Sequence, residues 1–420
     1  MSFFIRACNS TTFRSINLFS PRTSIQPISR ALSHRTFTSF VNTRHQETMD
    51  SKTIKETASH IAPSWPQKNE NAWATPGPAA FDLRSDVVTT PTTAMLNAIA
   101  ATTLLDDVMS EDPTTNNLES FVASLTGKEA GLLVLSGTMG NQVSLRTHVG
   151  GPPTGILCDK RGHIVQYEAG GASSLSGAML QTLIPANGTH LTYEEVVKNT
   201  VLSDDVHACP TKIISLENTL NGMILPLEEV KKISAFAREN GVIMHLDGAR
   251  LWEAVAAGAG DLKEYCSHFD SVSLCFSKGL GAPIGSIVVG DKNFIKRARW
   301  IRKMLGGGLR QAGVVSAAAR IAVEDNFIGG RLKQTHENAL KVADAWRKLG
   351  GTFVHPVETN MAWLDIEAAG IPHQKFVETA KKHGLRTSGG RLVVHYQVGE
   401  EGIRRLEGLF KELLGSKAKI

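Results

Sequence analysis

No stretch of the 420-residue chain approaches the roughly 18–20 uninterrupted apolar residues that a membrane-spanning helix needs. Its apolar runs, such as Ala130 to Leu135, are short and closed by glycine, which argues against a transmembrane protein. Cysteine is sparse. Cys8, Cys158, Cys209, Cys266 and Cys275 form no C-x-x-C pair and are odd in number, so neither a disulfide framework nor a zinc site is indicated, and a reducing compartment fits. Net charge is also missing once the N-terminus is set apart. The chain carries +5 from 45 Lys+Arg and 40 Asp+Glu, and residues 1–46 hold six of those arginines with no lysine and no acid. The remainder has 39 basic residues against 40 acidic ones, without the positive excess that binding to a phosphate backbone requires. Internal repeats and low-complexity tracts are absent from 81–420.

What is present first is a leader. Arg6, Arg14, Arg22, Arg30, Arg35 and Arg44 are spread through Ser/Thr-rich sequence with Phe3, Phe4, Ile5, Leu18 and Phe19, and the first acid is Glu47. That composition is expected of a mitochondrial presequence over 1–46, because an acid-free basic segment can bind a negatively charged import machinery. A secretory signal would need a continuous apolar region that this segment lacks. The other reading is a disordered basic tail, and initiation at Met49 would yield a leaderless, cytoplasmic form. Residues 47–80, with Pro63, Pro66, Pro76 and Pro78 among polar residues, read as a linker.

At 42% hydrophobic and 20% charged the whole chain reads as a soluble globular protein, and from Phe81 the pattern is α/β. Helix is predicted over Leu118 to Leu125 and Leu227 to Glu239, and strand over Ala130 to Leu135, Lys212 to Leu216, Val242 to Leu246, Ser271 to Phe276 and Ile284 to Val289. Continuous apolar strands alternating with helices point to a mostly parallel, buried sheet. A long helix, Arg331 to Leu349, leads to strands at Phe353 to Val357, Met361 to Ile366 and Arg391 to Gln397 and a closing helix, Gly402 to Leu414. The expected organisation is a large domain over 81–326 and a smaller C-terminal α/β domain over 327–420.

In an open α/β sheet a ligand sits at the carboxyl ends of the strands, and three such ends carry polar residues. After the first strand, Ser136 to Asn141 is glycine-rich and opens a helix, which suits an anion such as phosphate. Asp247 closes the strand before Gly248-Ala249-Arg250, where a carboxylate can hold a positive ring nitrogen or pair with the arginine. Lys278 follows the strand ending at Phe276, and a partly desolvated lysine is a nucleophile for an aldehyde. Each feature alone also has a structural explanation: an empty turn, a capping ion pair, a solvated charge. Together, in that order, they match the needs of pyridoxal phosphate: an anion cradle, an acid for the pyridine nitrogen and a lysine for the aldehyde.

Phe81-Asp82-Leu83-Arg84-Ser85-Asp86, Ser110-Glu111-Asp112-Pro113, Ser136-Gly137-Thr138-Met139-Gly140-Asn141, His245-Leu246-Asp247-Gly248-Ala249-Arg250, Ser277-Lys278-Gly279 and Gly306-Gly307-Gly308-Leu309-Arg310-Gln311 resemble the low-specificity L-threonine aldolases from about residue 81 to the C-terminus. The resemblance implies a fold type I pyridoxal phosphate enzyme, a homotetramer with active sites at subunit interfaces, and cleavage of L-threonine or L-allo-threonine to glycine and acetaldehyde. It implies Lys278 as the lysine that carries the cofactor, Asp247 as the partner of its ring nitrogen, and Gly137 and Thr138 as phosphate contacts. Arg310 would reach the phosphate of a neighbouring subunit. His163 would stack on the ring and His207 would lie near the substrate hydroxyl, either of them serving as base, while Ser85, Arg250 and Arg391 would hold the substrate carboxylate. One departure is Met109, which stands where many relatives have tyrosine and removes a ring and a hydroxyl from the expected pocket.

Two alternatives share the scaffold: an alanine racemase, and an aldolase for another β-hydroxy amino acid. A nicotinamide dehydrogenase is disfavoured, because Gly279 to Gly285 is spaced GxGxxxG and runs into a strand, whereas the dinucleotide fingerprint opens a helix. A non-catalytic binding protein would purify colourless, and the presence of Lys278, Asp247 and Arg391 speaks against it.

Overall fold

The computed structural model describes residues 72–415; the expected presequence and the linker up to residue 71 lie outside them. A seven-stranded sheet forms the centre, with strands β1 (Ala130–Val134), β2 (Gly155–Asp159), β3 (Met179–Leu183), β4 (Thr211–Glu217), β5 (Ile243–Asp247), β6 (Ser271–Cys275) and β7 (Ser286–Gly290) in the order β1-β7-β6-β5-β4-β2-β3. Only β7 runs against its neighbours, so the expected mostly parallel α/β sheet is what forms. Five of the strands were legible as apolar runs. β2 and β3 were not, and β3 shows why: it is an edge strand with no fully buried residue, so no continuous apolar run marks it.

Helices cover the sheet, and local chemistry sets their ends. Helix α1 (Pro113–Thr126) begins five residues before its predicted start, because the Asp112 side chain accepts from the Thr115 N–H at 3.2 Å and Pro113 occupies the first turn. Gly127 ends it in the left-handed conformation at φ 67°. Helix α2 (Gly137–His148) is capped by Ser136, whose hydroxyl accepts from the Met139 N–H at 3.1 Å. It lies directly on the sheet: a Cβ at Gly140 would collide with the Ser273 hydroxyl of β6.

A second core lies in the C-terminal part, around the pair β8 (Met361–Trp363) and β9 (Arg391–Val393). Helix α3 (Arg331–Lys348) buries Leu332, Ala339, Val342, Ala343 and Trp346 on one face, and the Trp346 ring meets Phe410 edge-on at 5.1 Å. The predicted strand at Phe353 to Val357 is reduced to a single bridge, Phe353 to Leu364. Phe81–Leu83, expected with the larger domain, bonds instead to this layer: Leu83 N–H donates to the Arg386 carbonyl, and Val393 N–H donates to the Leu83 carbonyl, both at 2.9 Å. Backbone pairing over 300 residues of separation leaves no local trace in sequence.

Candidate active site

Because β1, β2, β4, β5 and β6 share one direction, their carboxyl ends open on one edge of the sheet. The N-terminus of α2 follows β1, His163 follows β2, Glu217 ends β4, Asp247 ends β5 beside it in register, and Lys278 follows β6.

A buried hydrogen-bond network joins several of these groups. Asn141, on the first turns of α2, donates through Nδ2 to Asp247 Oδ2 at 2.7 Å and to Glu168 Oε1 at 2.8 Å. Glu168 Oε1 lies 2.8 Å from His163 Nδ1, and Oε2 accepts from Gln142 Nε2 at 2.5 Å. His245 Nε2 lies 3.2 Å from Asn141 Oδ1, and its Nδ1 is 2.8 Å from Ser271 Oγ. Burial holds His245 neutral, its pKa pushed down to about 3. Its single N–H therefore belongs on Nε2, facing the amide oxygen, and Ser271 donates to Nδ1. The Glu168 carboxylate bonded to His163 raises that histidine's pKa against the effect of burial, and Asp247 adds to the rise. With Nδ1–H given to Glu168, Nε2 of His163 is free to accept a proton. Burial pushes the Glu217 carboxyl up, the charge of Asp247 pushes it further, and the N–H of His163, donated at 2.7 Å, opposes both.

The Lys278 carbonyl accepts from the Thr89 hydroxyl at 3.0 Å, while its amine has no hydrogen-bond or ion-pair partner among the described residues. A second charged group faces the same opening. Asp86, fully buried, receives Arg250 through Nε at 2.8 Å and Nη2 at 2.6 Å. Against the upward push of burial, that guanidinium holds the Asp86 carboxyl well below the usual carboxylate range. Arg391 donates from Nη1 to the Arg84 carbonyl at 2.7 Å and lies over the Trp363 ring at 5.5 Å. It has no carboxylate partner among the described residues, and burial, then the nearby charge of Arg250, lowers its pKa.

A family model described as beta-eliminating lyase matches residues 82–369, a span that contains the sheet and all of these groups except Arg391. The chain belongs to the beta-eliminating lyase family. Among curated relatives, this lyase is 56% identical over 348 residues to the aldolase vrtJ of Penicillium aethiopicum, covering 82% of this chain and 89% of that protein. It is 46% identical to the alanine racemase TOXG of Cochliobolus carbonum, covering 83% and 91%. It is 45% identical to the low-specificity L-threonine aldolase of Candida albicans, covering 79% and 90%, so the resemblance read from the motifs holds. A solved structure of Leishmania major threonine aldolase superposes with a TM-score of 0.68 over 80% of this chain and 99% of that one, at 17% identity, which shows a common fold. The lyase is a carbon–carbon lyase of the fold type I class.

Of the residues singled out in sequence, Gly137, Thr138, His163, Asp247 and Lys278 stand at that edge, while Arg391, on β9 of the second sheet, acts on Asp86 through its charge. Ser85 caps the short turn Asp86–Val88, its hydroxyl accepting from the Val87 N–H at 3.4 Å. Arg250 places Nε and Nη2 on the Asp86 carboxylate, a partner the sequence reading did not give it. Arg310 is exposed and pairs with Asp106 of its own chain at 2.5 Å. His207, expected near the substrate hydroxyl, lies on an exposed loop with its side chain 90% exposed and Nδ1 2.8 Å from Asp205; the chain does not bring it to the cluster. Met109 is likewise exposed.

Asp86, Asn141, Glu168 and Glu217 were missed as functional side chains. Asp86 and Asn141 stand inside quoted motifs, and that membership was the signal available, since their neighbours Ser85 and Gln142 are polar too. In the lyase, Asp86→Asn should cost about 3–5 kcal/mol of stability, because it strips the compensating charge from the largely buried Arg250. Denaturant unfolding checks this; a loss below about 1 kcal/mol, the range of an exposed pair, would contradict it.

Proposed function

We infer that the lyase uses pyridoxal phosphate to cleave L-threonine and L-allo-threonine to glycine and acetaldehyde. The observation that carries the reading is the unpartnered Lys278 amine at the same sheet edge as the Asn141-held Asp247 and the open start of α2. These residues fit the cofactor. A Cβ at Gly137 would come within 2.7 Å of Cys275 Sγ, so the start of α2 presses against β6 with bare backbone. It leaves the N–H groups of Gly137 and Thr138 for the phosphate. Asp247 would hold the ring nitrogen, Lys278 the aldehyde carbon, and His163 would cover the ring. When bound, pyridoxal phosphate supplies an electron sink for breaking bonds at Cα.

The side chains do the rest. Arg391, with no carboxylate of its own, holds the substrate's α-carboxylate through its fork of donors. Anchoring that group sets which bond at Cα stands ready to break. His163 takes the β-hydroxyl proton on Nε2, and Glu168 stabilises the imidazolium that results. Asn141 fixes the orientation of the Asp247 carboxyl group by donating to Oδ2. Return of a proton to Cα yields glycine.

Two relatives favour a second reading on the same scaffold: the aldolase vrtJ and the alanine racemase are 56% and 46% identical to this chain, against 45% for the Candida albicans threonine aldolase. The deciding assay is the protein from residue 49 onward, loaded with pyridoxal phosphate, given L-threonine with coupled detection of acetaldehyde, and given L-alanine in a polarimeter. Aldehyde release supports the threonine reading. Racemised alanine without aldehyde replaces it, and aldehyde only from another β-hydroxy amino acid changes the substrate.

We also propose a homotetramer, supported by the exposed Trp300 (77%), Met304 (61%) and Leu104 (61%). A monomer in sedimentation at micromolar concentration would contradict it. Mitochondrial residence is proposed from residues 1–46, and a fluorescent fusion of that segment that stays in the cytoplasm would reject it. The division into a cofactor-binding 81–326 and a small 327–420 domain is proposed with one change, Phe81–Leu83 pairing with the C-terminal layer, and limited proteolysis is its check.

A further inference from the structure

The turn after His163 leaves one aromatic ring uncovered on the open side of the cluster. Tyr167 is 72% exposed, yet its backbone is held. Its N–H donates to the His163 carbonyl at 2.9 Å, and the next residue, Glu168, is bonded through both carboxylate oxygens to His163, Asn141 and Gln142. A ring on so anchored a turn has only its two side-chain torsions left to lose on contact with a ligand. Its centroid lies 5.6 Å from that of His163, tilted by 41°, and its hydroxyl has no partner among the described residues. The phenol is also near enough to Arg391 to act on that guanidinium. The ring therefore neighbours the histidine assigned to the β-hydroxyl proton and lies within electrostatic reach of the arginine assigned to the α-carboxylate. A substrate held by those two groups exposes one further part, its β-substituent, and an uncovered aromatic face is an apolar surface for it.

We propose that Tyr167 is a specificity-determining residue whose ring packs against the β-substituent of a 3-hydroxy amino acid, with larger and aromatic substituents gaining most. This rests on the aldolase reading above. The test compares the cofactor-loaded wild type with Tyr167→Ala and Tyr167→Phe. Dissociation constants for glycine, which has no β-carbon, and L-phenylalanine, which has a β-aryl group but no hydroxyl to cleave, are read from the cofactor's absorbance. KM and kcat are measured for L-threonine and L-3-phenylserine. Tyr167→Ala should weaken L-phenylalanine and raise KM for L-3-phenylserine by about tenfold, leaving glycine within about twofold, while Tyr167→Phe stays near wild type because the ring is kept. Equal weakening of glycine and L-phenylalanine would reduce Tyr167 to a structural role, and unchanged L-phenylalanine binding would remove it from the pocket. A wild type that cleaves neither hydroxy amino acid would sink the aldolase reading separately, since the two binding constants do not depend on turnover.

Discussion

Lys278→Ala should leave a folded protein that no longer retains pyridoxal phosphate through gel filtration and releases acetaldehyde from L-threonine about 10⁴-fold more slowly, the upper range for losing a positioned proton-transfer group. The expectation comes from the amine's isolation. A lysine tied into an ion pair would be replaceable by any residue that filled its space, but Lys278 Nζ has no partner among the described residues. Its backbone, by contrast, is fixed on both sides. The Thr89 hydroxyl and the Gly281 N–H both bond to its carbonyl, at 3.0 and 2.9 Å, and neither bond involves the side chain. Removing the amine should therefore leave the loop in place, and circular dichroism should match the wild type. A Lys278→Ala variant that keeps both the cofactor's visible absorbance and turnover would end the assignment.

Asp247→Ala should be the second large effect, lowering kcat by about 10²–10³, the range for removing one preorganised electrostatic partner from a reacting site. Cofactor binding should weaken but persist, because the N–H groups at the start of α2 and Lys278 remain. Asp247 is 3% exposed and its carboxylate is oriented by the Asn141 amide and the Ala249 N–H, at 2.7 and 3.1 Å. The Asn141 amide also serves Glu168 at 2.8 Å, so the substitution should loosen His163 as well. Asn141→Ala should reproduce part of the loss without touching the carboxylate. Stopped-flow measurement of the chemical step checks both, and wild-type kcat in Asp247→Ala would refute the role given to that residue.

Much of the architecture was readable one segment at a time. Apolar runs closed by polar residues marked β1, β4, β5, β6 and β7, and Asp112-Pro113 and Ser136 carry the chemistry that starts their helices. Edge strand β3 escaped because half-exposed edges carry no continuous apolar signal, whereas β8 and β9 form where strands were expected, at Met361 to Ile366 and Arg391 to Gln397, but over only three residues each. At the site, Asp247 and Lys278 were visible because the first ends an apolar strand and the second follows one within three residues. The partners that orient them were not. Asn141 and Asp247 are 106 residues apart, and Arg250 and Asp86 are 164 apart.

By itself, then, the sequence determined the α/β class, the strand ends that carry chemistry and the order of cradle, acid and lysine, since periodicity, caps and breakers act within a few residues of the chain. Only the tertiary structure decided which side chains are bound to one another. It committed Arg250 to Asp86 and left Arg391 without a carboxylate. It linked Asp247 to His163 through Asn141 and Glu168, and left His207 on the surface. Those choices depend on how parallel strands are ordered and which ends share an edge. Hydrogen-bond partnership inside a low-dielectric core is then settled by proximity across the sheet, for which sequence separation holds no measure.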